Sequence, residues 1–205
     1  MRRHEGLRLR AAKLAAAAND LKRRSGVSTP FHLAFLTDGR RAPDPLLVAR
    51  VLPKGAGVIL RDYETPRRAA LAAQLKSVCA ARGVRLLIGA DMALAERLGA
   101  DGVHCPRWFS AARPIPQGMI VTASAHDVAE LRRAEAMGAD LALLSPAFPT
   151  SSHEGEEGLG PAAFRRLAAA SPVPVLALGG VDETNAGRLA GANVAGLAAI
   201  GAFLD

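Results

Sequence analysis

Leu98-Gly99-Ala100-Asp101-Gly102-Val103, Met137-Gly138-Ala139-Asp140-Leu141-Ala142 and Ala190-Gly191-Ala192-Asn193-Val194-Ala195 are three copies of one joint. In each, a glycine able to adopt the left-handed conformation ends a helical stretch, an alanine turns inward, and Asp or Asn starts a β-type run. A joint that recurs in this way marks a chain built from equivalent helix-to-strand units. Outward from the three copies, short β-type runs alternate with longer helical ones from Phe31 onward, the pattern of parallel strands joined by right-handed helical crossovers. Eight strands are predicted, at 31–37, 57–61, 84–90, 102–105, 119–124, 141–145, 173–178 and 194–200. Helices are predicted at 66–82, 91–98, 127–137, 161–169 and 183–190, while three prolines within 106–117 predict a loop with little helix. The expected fold is α/β: a (β/α)8 TIM barrel over residues 31–205, with an extra basic helix within 1–30 that packs on the barrel or extends from it. An open doubly wound sheet would tolerate the same joints, but eight strands in so short a chain suit a small barrel better.

Composition agrees with one domain of this class. The 205 residues are 50% hydrophobic with only 4% aromatic, so the core must be built mainly from Ala, Leu and Val, as in helices packed on a parallel sheet. The net charge of +7 is concentrated at one end. Residues 1–24 hold eight Arg and Lys against two acidic residues and so account for six of those seven charges. Such a segment suits RNA, a membrane surface or an acidic partner, but a solvated amphipathic helix packed on the domain is the preferred reading, and nucleic acid is not expected as a partner. The apolar stretch 14–18 runs directly into Asn19 and Asp20 and is no signal-peptide core; there is also no apolar run of membrane-spanning length. Cys79 and Cys105 fit no metal-ligand spacing and read as small core hydrophobes, as expected for a cytoplasmic protein. Composition leaves a homodimer open.

In a barrel of this type the site is assembled just beyond the strand ends. The residues there are Thr37 and Asp38 after the first strand, Arg61, Asp62 and Tyr63 at the second, and Asp91 after the third. His104, Arg107 and Trp108 follow at the fourth, Ser124 and His126 at the fifth, and Thr150, Ser151, Ser152 and His153 beyond the sixth. Gly179-Gly180 ends the seventh and Ile200-Gly201 the eighth. A glycine pair at a strand end lets backbone N–H groups approach an anion, and the last two loops of a barrel commonly hold a phosphate; a plain tight turn is the alternative. His126 is the candidate for proton transfer, or else a first-turn residue of the helix beginning at Asp127. His104 faces the barrel mouth or serves as a hydrogen-bonded structural residue. Arg61 is a ligand-binding cation or a partner of Asp62 or Asp91. His153 lies in a Ser/Glu/Gly-rich stretch, 151–158, that reads as a lid carrying a solvent-exposed imidazole.

Five blocks, 57–62, 98–104, 124–137, 145–150 and 178–185, taken in order and at their spacing, resemble successive blocks of the thiamine-phosphate synthase/TenI family. The similarity runs from about Phe31 to the end. It implies a (β/α)8 barrel, a phosphorylated thiazole or thiamine phosphate as ligand, and a role in thiamine biosynthesis or salvage. A synthase of this family joins a pyrimidine diphosphate to a thiazole phosphate and uses Mg²⁺ and cations on the departing pyrophosphate. Its pattern at the second strand, Gln-Leu-Arg-Asp-Lys, is Ile59-Leu60-Arg61-Asp62-Tyr63 here, so the Gln and Lys are missing. Its Asn-Asp after the third strand falls on Gly89-Ala90, its second metal carboxylate on Phe109, and the Lys of its Thr-x-Thr-Lys loop on His153. The groups expected around the thiazole phosphate remain: Ser124, Thr150, Ser152, Gly179, Gly180, Ile200 and Gly201, with Arg61 beside them.

The losses are one-sided and resemble the TenI branch, whose members bind thiazole phosphate and can tautomerise the thiazole carboxylate phosphate with a His that matches His126. The leading expectation is therefore a TenI-like isomerase with no cofactor. One alternative is a divergent synthase, a transferase with a Mg²⁺ site rearranged around Asp38, Asp62 or Asp91. The other is a non-catalytic phosphate-ligand binding protein that uses helix 7–24 for a partner.

Overall fold

The computed structural model describes residues 2–41, 44–150 and 157–203. Eight parallel strands close into a barrel in sequence order. They are β1 (Leu33–Leu36), β2 (Gly57–Leu60), β3 (Arg85–Gly89), β4 (Gly102–Cys105), β5 (Ile120–Ala125), β6 (Leu141–Leu144), β7 (Val175–Ala177) and β8 (Val194–Ala199). Closure is made by β1 on β8, with Ala34 opposite Ala198. This is a (β/α)8 TIM barrel, and each strand falls on one of the eight predicted runs, with ends that match to within two residues.

The strands are apolar on both faces because both are covered. Leu33 and Phe35 of β1 face outward into the layer under the helices, whereas Ala34 and Leu36 join Ile59, Leu87, Leu141, Leu143 and Leu176 inside the barrel. Each such buried Leu contributes about 1.5–3 kcal/mol relative to exposure, so the barrel is a packed core and the ligand-sized space lies at its mouth.

The helices are α1 (Arg2–Ser25), α2 (Pro45–Val51), α3 (Arg68–Arg82), α4 (Met92–Leu98), α5 (Val128–Ala136) and α6 (Gly160–Ala170). Stretch 106–117 forms no helix, as its prolines require. Two departures from expectation have local causes. The predicted helix at 183–190 is only a 3₁₀ turn, Ala186–Leu189. Asp182 and Asn185 bond each other reciprocally, Asp182 N–H to Asn185 Oδ1 and Asn185 N–H to Asp182 Oδ1, which offers the backbone a turn in place of a first helical turn. Helix α2, not anticipated, is started by Asp44, whose carboxylate accepts from the N–H groups of Leu46 and Leu47, with Pro45 in the first turn.

Helix α1 buries Ala11, Leu14, Ala18 and Leu21, a stripe at helical spacing, in the same core as the barrel strands. It packs on β8, β1 and α2, over the seam where the barrel closes. In a repeating β/α scheme that is the station of the helix following the eighth strand; among the described residues only a 3₁₀ turn, Gly201–Phe203, follows β8. The outer face of α1 is basic, and its ion pairs, Arg23 and Arg24 with Asp20 and Lys13 with Glu183, lie at the surface.

The three joints are alike in two copies and different in the third. After α4, Gly99 N–H reaches Glu96 O at 3.0 Å and Ala100 N–H reaches Ala95 O at 2.9 Å; after α5, Gly138 and Ala139 do the same to Glu135 and Ala134 at 2.8 and 3.0 Å. These are Schellman closures, with Gly99 at φ +56° and Gly138 at φ +70°. The following Asp then caps a neighbouring strand: Asp101 accepts from Leu86 N–H, and Asp140 from Val121 N–H. The expectation that Gly191 is left-handed is corrected, because Asn193 adopts that conformation instead, at φ +68°. Its amide donates to the carbonyls of Ser171 and Val173, a role open to Asn and closed to an ionised Asp.

Candidate active site at the carboxyl ends of the strands

The carboxyl ends of the strands surround a cleft of about 820 Å³. Arg61, Ser124, His126, Thr150, Gly179, Gly180, Ile200 and Gly201 all line it, so eight of the nine residues proposed from sequence share one space. The ninth, Ser152, lies outside the described residues, as does His153. The backbone at Gly179-Gly180 forms one wall with Ile200-Gly201.

That wall requires glycine. Gly179 has φ +88° and a Cβ there would stand 2.9 Å from Pro146 Cα; at Gly180, φ +62°, it would stand 2.4 Å from Pro149 O. The loop after β6 is therefore pressed against the loop after β7, and Phe148 N–H donates to Gly179 O at 3.0 Å. Asn185 Nδ2 holds Gly180 O at 2.8 Å. Asp182 sits at the rim. Burial opposes its ionisation, but bonds from the Thr184 hydroxyl and the Thr184 and Asn185 N–H groups outweigh this and keep the carboxyl below its ordinary range.

At the floor, His104 is buried with Nδ1 at 2.9 Å from Thr122 Oγ1 and Nε2 at 3.2 Å from Ser124 Oγ. Burial, reinforced by the charge of Arg61, pushes its pKa down to about 3, so the imidazole is neutral and orients the Ser124 hydroxyl. His104 is thus both at the barrel mouth and hydrogen-bonded within the structure. Arg61 is placed by its own backbone, whose N–H donates to Thr37 Oγ1 at 2.9 Å. The alternative pairings for Arg61 are not seen: Asp91 pairs with Arg68, and Asp62 accepts from Gly39 N–H.

His126 follows β5 at the mouth, with its side chain about one-third exposed. Asp127 caps α5 by accepting from Glu130 N–H, and this first turn brings the Glu130 carboxylate back onto His126. Glu130 Oε2 accepts from His126 N–H at 2.8 Å and lies 2.7 Å from His126 Nδ1. Its other oxygen, Oε1, lies 2.7 Å from Arg107 Nε. Glu130 was not among the residues proposed from sequence, nor were Arg40 and Arg41, which line the cleft from the loop after β1. The His126-x-x-x-Glu130 spacing across a helix start was the available signal for the first; the arginines carried none beyond their place after a strand.

The side of the cleft nearest β1, β2 and β3 does not fit a carboxylate-held Mg²⁺. Asp38 spends both oxygens on Arg41 and on the Arg40 and Arg41 N–H groups. Burial would raise its pKa, yet the Arg41 bonds and charge hold it below the ordinary carboxylate range. Asp91 caps α4 and pairs with Arg68, whose guanidinium also donates to Gly89 O. A Cβ at Gly89 would meet Leu60 O at 2.8 Å and the Tyr63 ring at 3.0 Å, so Tyr63 occupies the room a side chain at 89 would need. Burial raises the Tyr63 phenol despite the neighbouring arginines, and Trp108 meets its ring edge-on at 5.4 Å. Asp62 Oδ2 is buried without a hydrogen-bond partner among the described residues, but one oxygen is far short of a magnesium shell.

The fold defines a (β/α)8-barrel protein with a cleft at the carboxyl ends of its strands. The family model for thiamine monophosphate synthase matches residues 33–203, and the chain belongs to that family. It is 38% identical over 180 residues to a thiamine-phosphate synthase of Chlorobium luteolum, covering 83% of this chain and 84% of that one. It is 37% identical over 139 residues to a thiamine-phosphate synthase of Geobacillus kaustophilus, covering 65% of this chain and 63% of the relative. Among solved structures it superposes on a thiamine phosphate pyrophosphorylase from Pyrococcus furiosus with a TM-score of 0.70 at 23% identity, over 86% of this chain and 87% of the other.

Proposed function

We propose that this chain works in thiamine metabolism by holding a thiazole phosphate with its phosphate on the Gly179-Gly180 and Ile200-Gly201 wall while His126 moves a proton on the ring, as in the TenI branch. The carrying observation is the asymmetry of the cleft. A glycine-backbone wall and an imidazole held by a carboxylate face one side, while the carboxylates of the other are committed to Arg41, Arg68 and backbone N–H groups.

In this reaction the thiazole ring loses a proton at one position and regains one at another, so no atom is gained or lost and no redox partner is needed. Glu130 engages His126 Nδ1, and in this reading Nε2 takes the proton and returns it. The charge that develops on the ring during transfer is stabilised by Arg61, while Ser124, held by neutral His104, and Thr150 orient the ligand. Following conversion of the thiazole carboxylate phosphate tautomer tests the reading. Acid–base catalysis is typically worth about 10²–10⁴-fold, so His126→Ala should convert at least about a hundredfold more slowly. Equal rates in variant and wild type would refute the role.

A second reading, condensation of a pyrimidine diphosphate with thiazole phosphate, is favoured by the relatives, which carry the name thiamine-phosphate synthase. Mg²⁺-dependent pyrophosphate release from the two substrates would establish it in place of the first.

A further inference from the structure

The contact between Arg107 and Glu130 ties a loop to the imidazole that the proposed reaction uses. Glu130 is nearly buried, with a side-chain exposure of 11%, and its two oxygens are divided between partners on different elements. Oε2 meets His126 at both the ring and the backbone N–H, and Oε1 meets Arg107 from the loop after β4. Arg107 is itself 74% exposed and lines the cleft, so apart from this ion pair little in the fold holds it there.

We infer that Glu130 is a positioning residue for His126, fixing its ring and its Nδ1 proton, and that Arg107, by engaging the second oxygen, keeps the Glu130 carboxylate turned onto that ring. Of the other charged groups at the cleft, Asp38 and Arg41 satisfy each other and Asp182 is held by its own turn. Arg40 and Arg61 approach from the loops after β1 and β2, and Asp127 is engaged in capping α5. Glu130 meets His126 at two points, the ring and the backbone N–H.

The inference rests on the proton-transfer reading, so its test needs a readout besides turnover. ¹⁵N NMR of the His126 ring reports its tautomer. Nδ1 should be the protonated nitrogen of the neutral wild-type ring, and Glu130→Ala should move the population toward the Nε2-protonated tautomer. In the tautomer assay, Glu130→Gln should lower kcat about tenfold or more while leaving KM within about twofold, since the ligand-binding wall is untouched. An unchanged tautomer in Glu130→Ala would overturn the positioning role. If wild type converts no thiazole tautomer but the NMR change appears as stated, the proton-transfer reading fails while the positioning of His126 stands.

Discussion

His104 shows how one buried side chain carries consequences for the whole cleft. Its pKa is pushed down to about 3, from 6.5 in the unfolded chain, by burial and then by Arg61. Between those values the unfolded chain binds a proton that the folded chain refuses, so stability rises with pH across the window and falls on acidification from about pH 6.5 toward 3. The limiting slope for one proton is about 1.4 kcal/mol per pH unit. His32, also lowered by burial and then by Lys22, adds in the same direction. Urea unfolding at pH 4 to 7 should therefore show a steep fall in wild-type stability and a shallower one in His104→Asn; equal slopes would mean that His104 is protonated in the fold. At this scale the sequence was informative about which residues lie at strand ends, and so Arg61, Ser124 and His126 meet at one cleft. It was less so for Glu130, whose contact with His126 is made by a helix start that turns it back, and that turn depends on Asp127 capping α5.

At the scale of elements, the three joints separate what a motif says from what a backbone does. The Schellman closures at Gly99 and Gly138 follow from α-helices that end one or two residues before a glycine, so they were legible in the sequence. The third joint lacks a preceding α-helix, the stretch before it being a 3₁₀ turn, and the left-handed residue moves to Asn193. This yields a clean comparison. A Cβ at Gly138 meets nothing within 4 Å, so Gly138→Ala carries only the conformational cost of φ +70°, about 1–2 kcal/mol. At Gly191 the nearest contact is the flexible Arg165 Cγ at 3.4 Å, and Gly191→Ala should stay within about 0.5 kcal/mol of wild type. Thermal unfolding of the two variants measures the difference; equal losses would contradict this account of the third joint. The turn at 183–190 was misread as helix for a related reason, since helical composition there is overruled by the Asp182–Asn185 bonds.

For the molecule as a whole, strand order and closure were legible because parallel strands buried on both faces write themselves as short apolar runs at regular spacing. The station of α1 was not, since a helix placed before the first strand can cover any part of a barrel until packing decides; here the stripe Ala11, Leu14, Ala18 and Leu21 meets the β8–β1 seam. The cleft lies away from that seam's cover, at the strand ends and the loops beyond them, with glycine backbone on one side and the Tyr63 and Trp108 side chains on the other. The central claim is that this cleft takes one phosphate and has closed the half that would take a metal and pyrophosphate. A crystal structure of the protein soaked with thiazole phosphate and Mg²⁺ tests it most directly. The account predicts the phosphate against Gly179, Gly180 and Gly201, the thiazole ring beside His126, and Tyr63 still packed on Gly89 with no ion bound to Asp38, Asp62 or Asp91. A phosphate seated on the Arg61 and Tyr63 side, or a Mg²⁺ held by any of those three carboxylates, would contradict it.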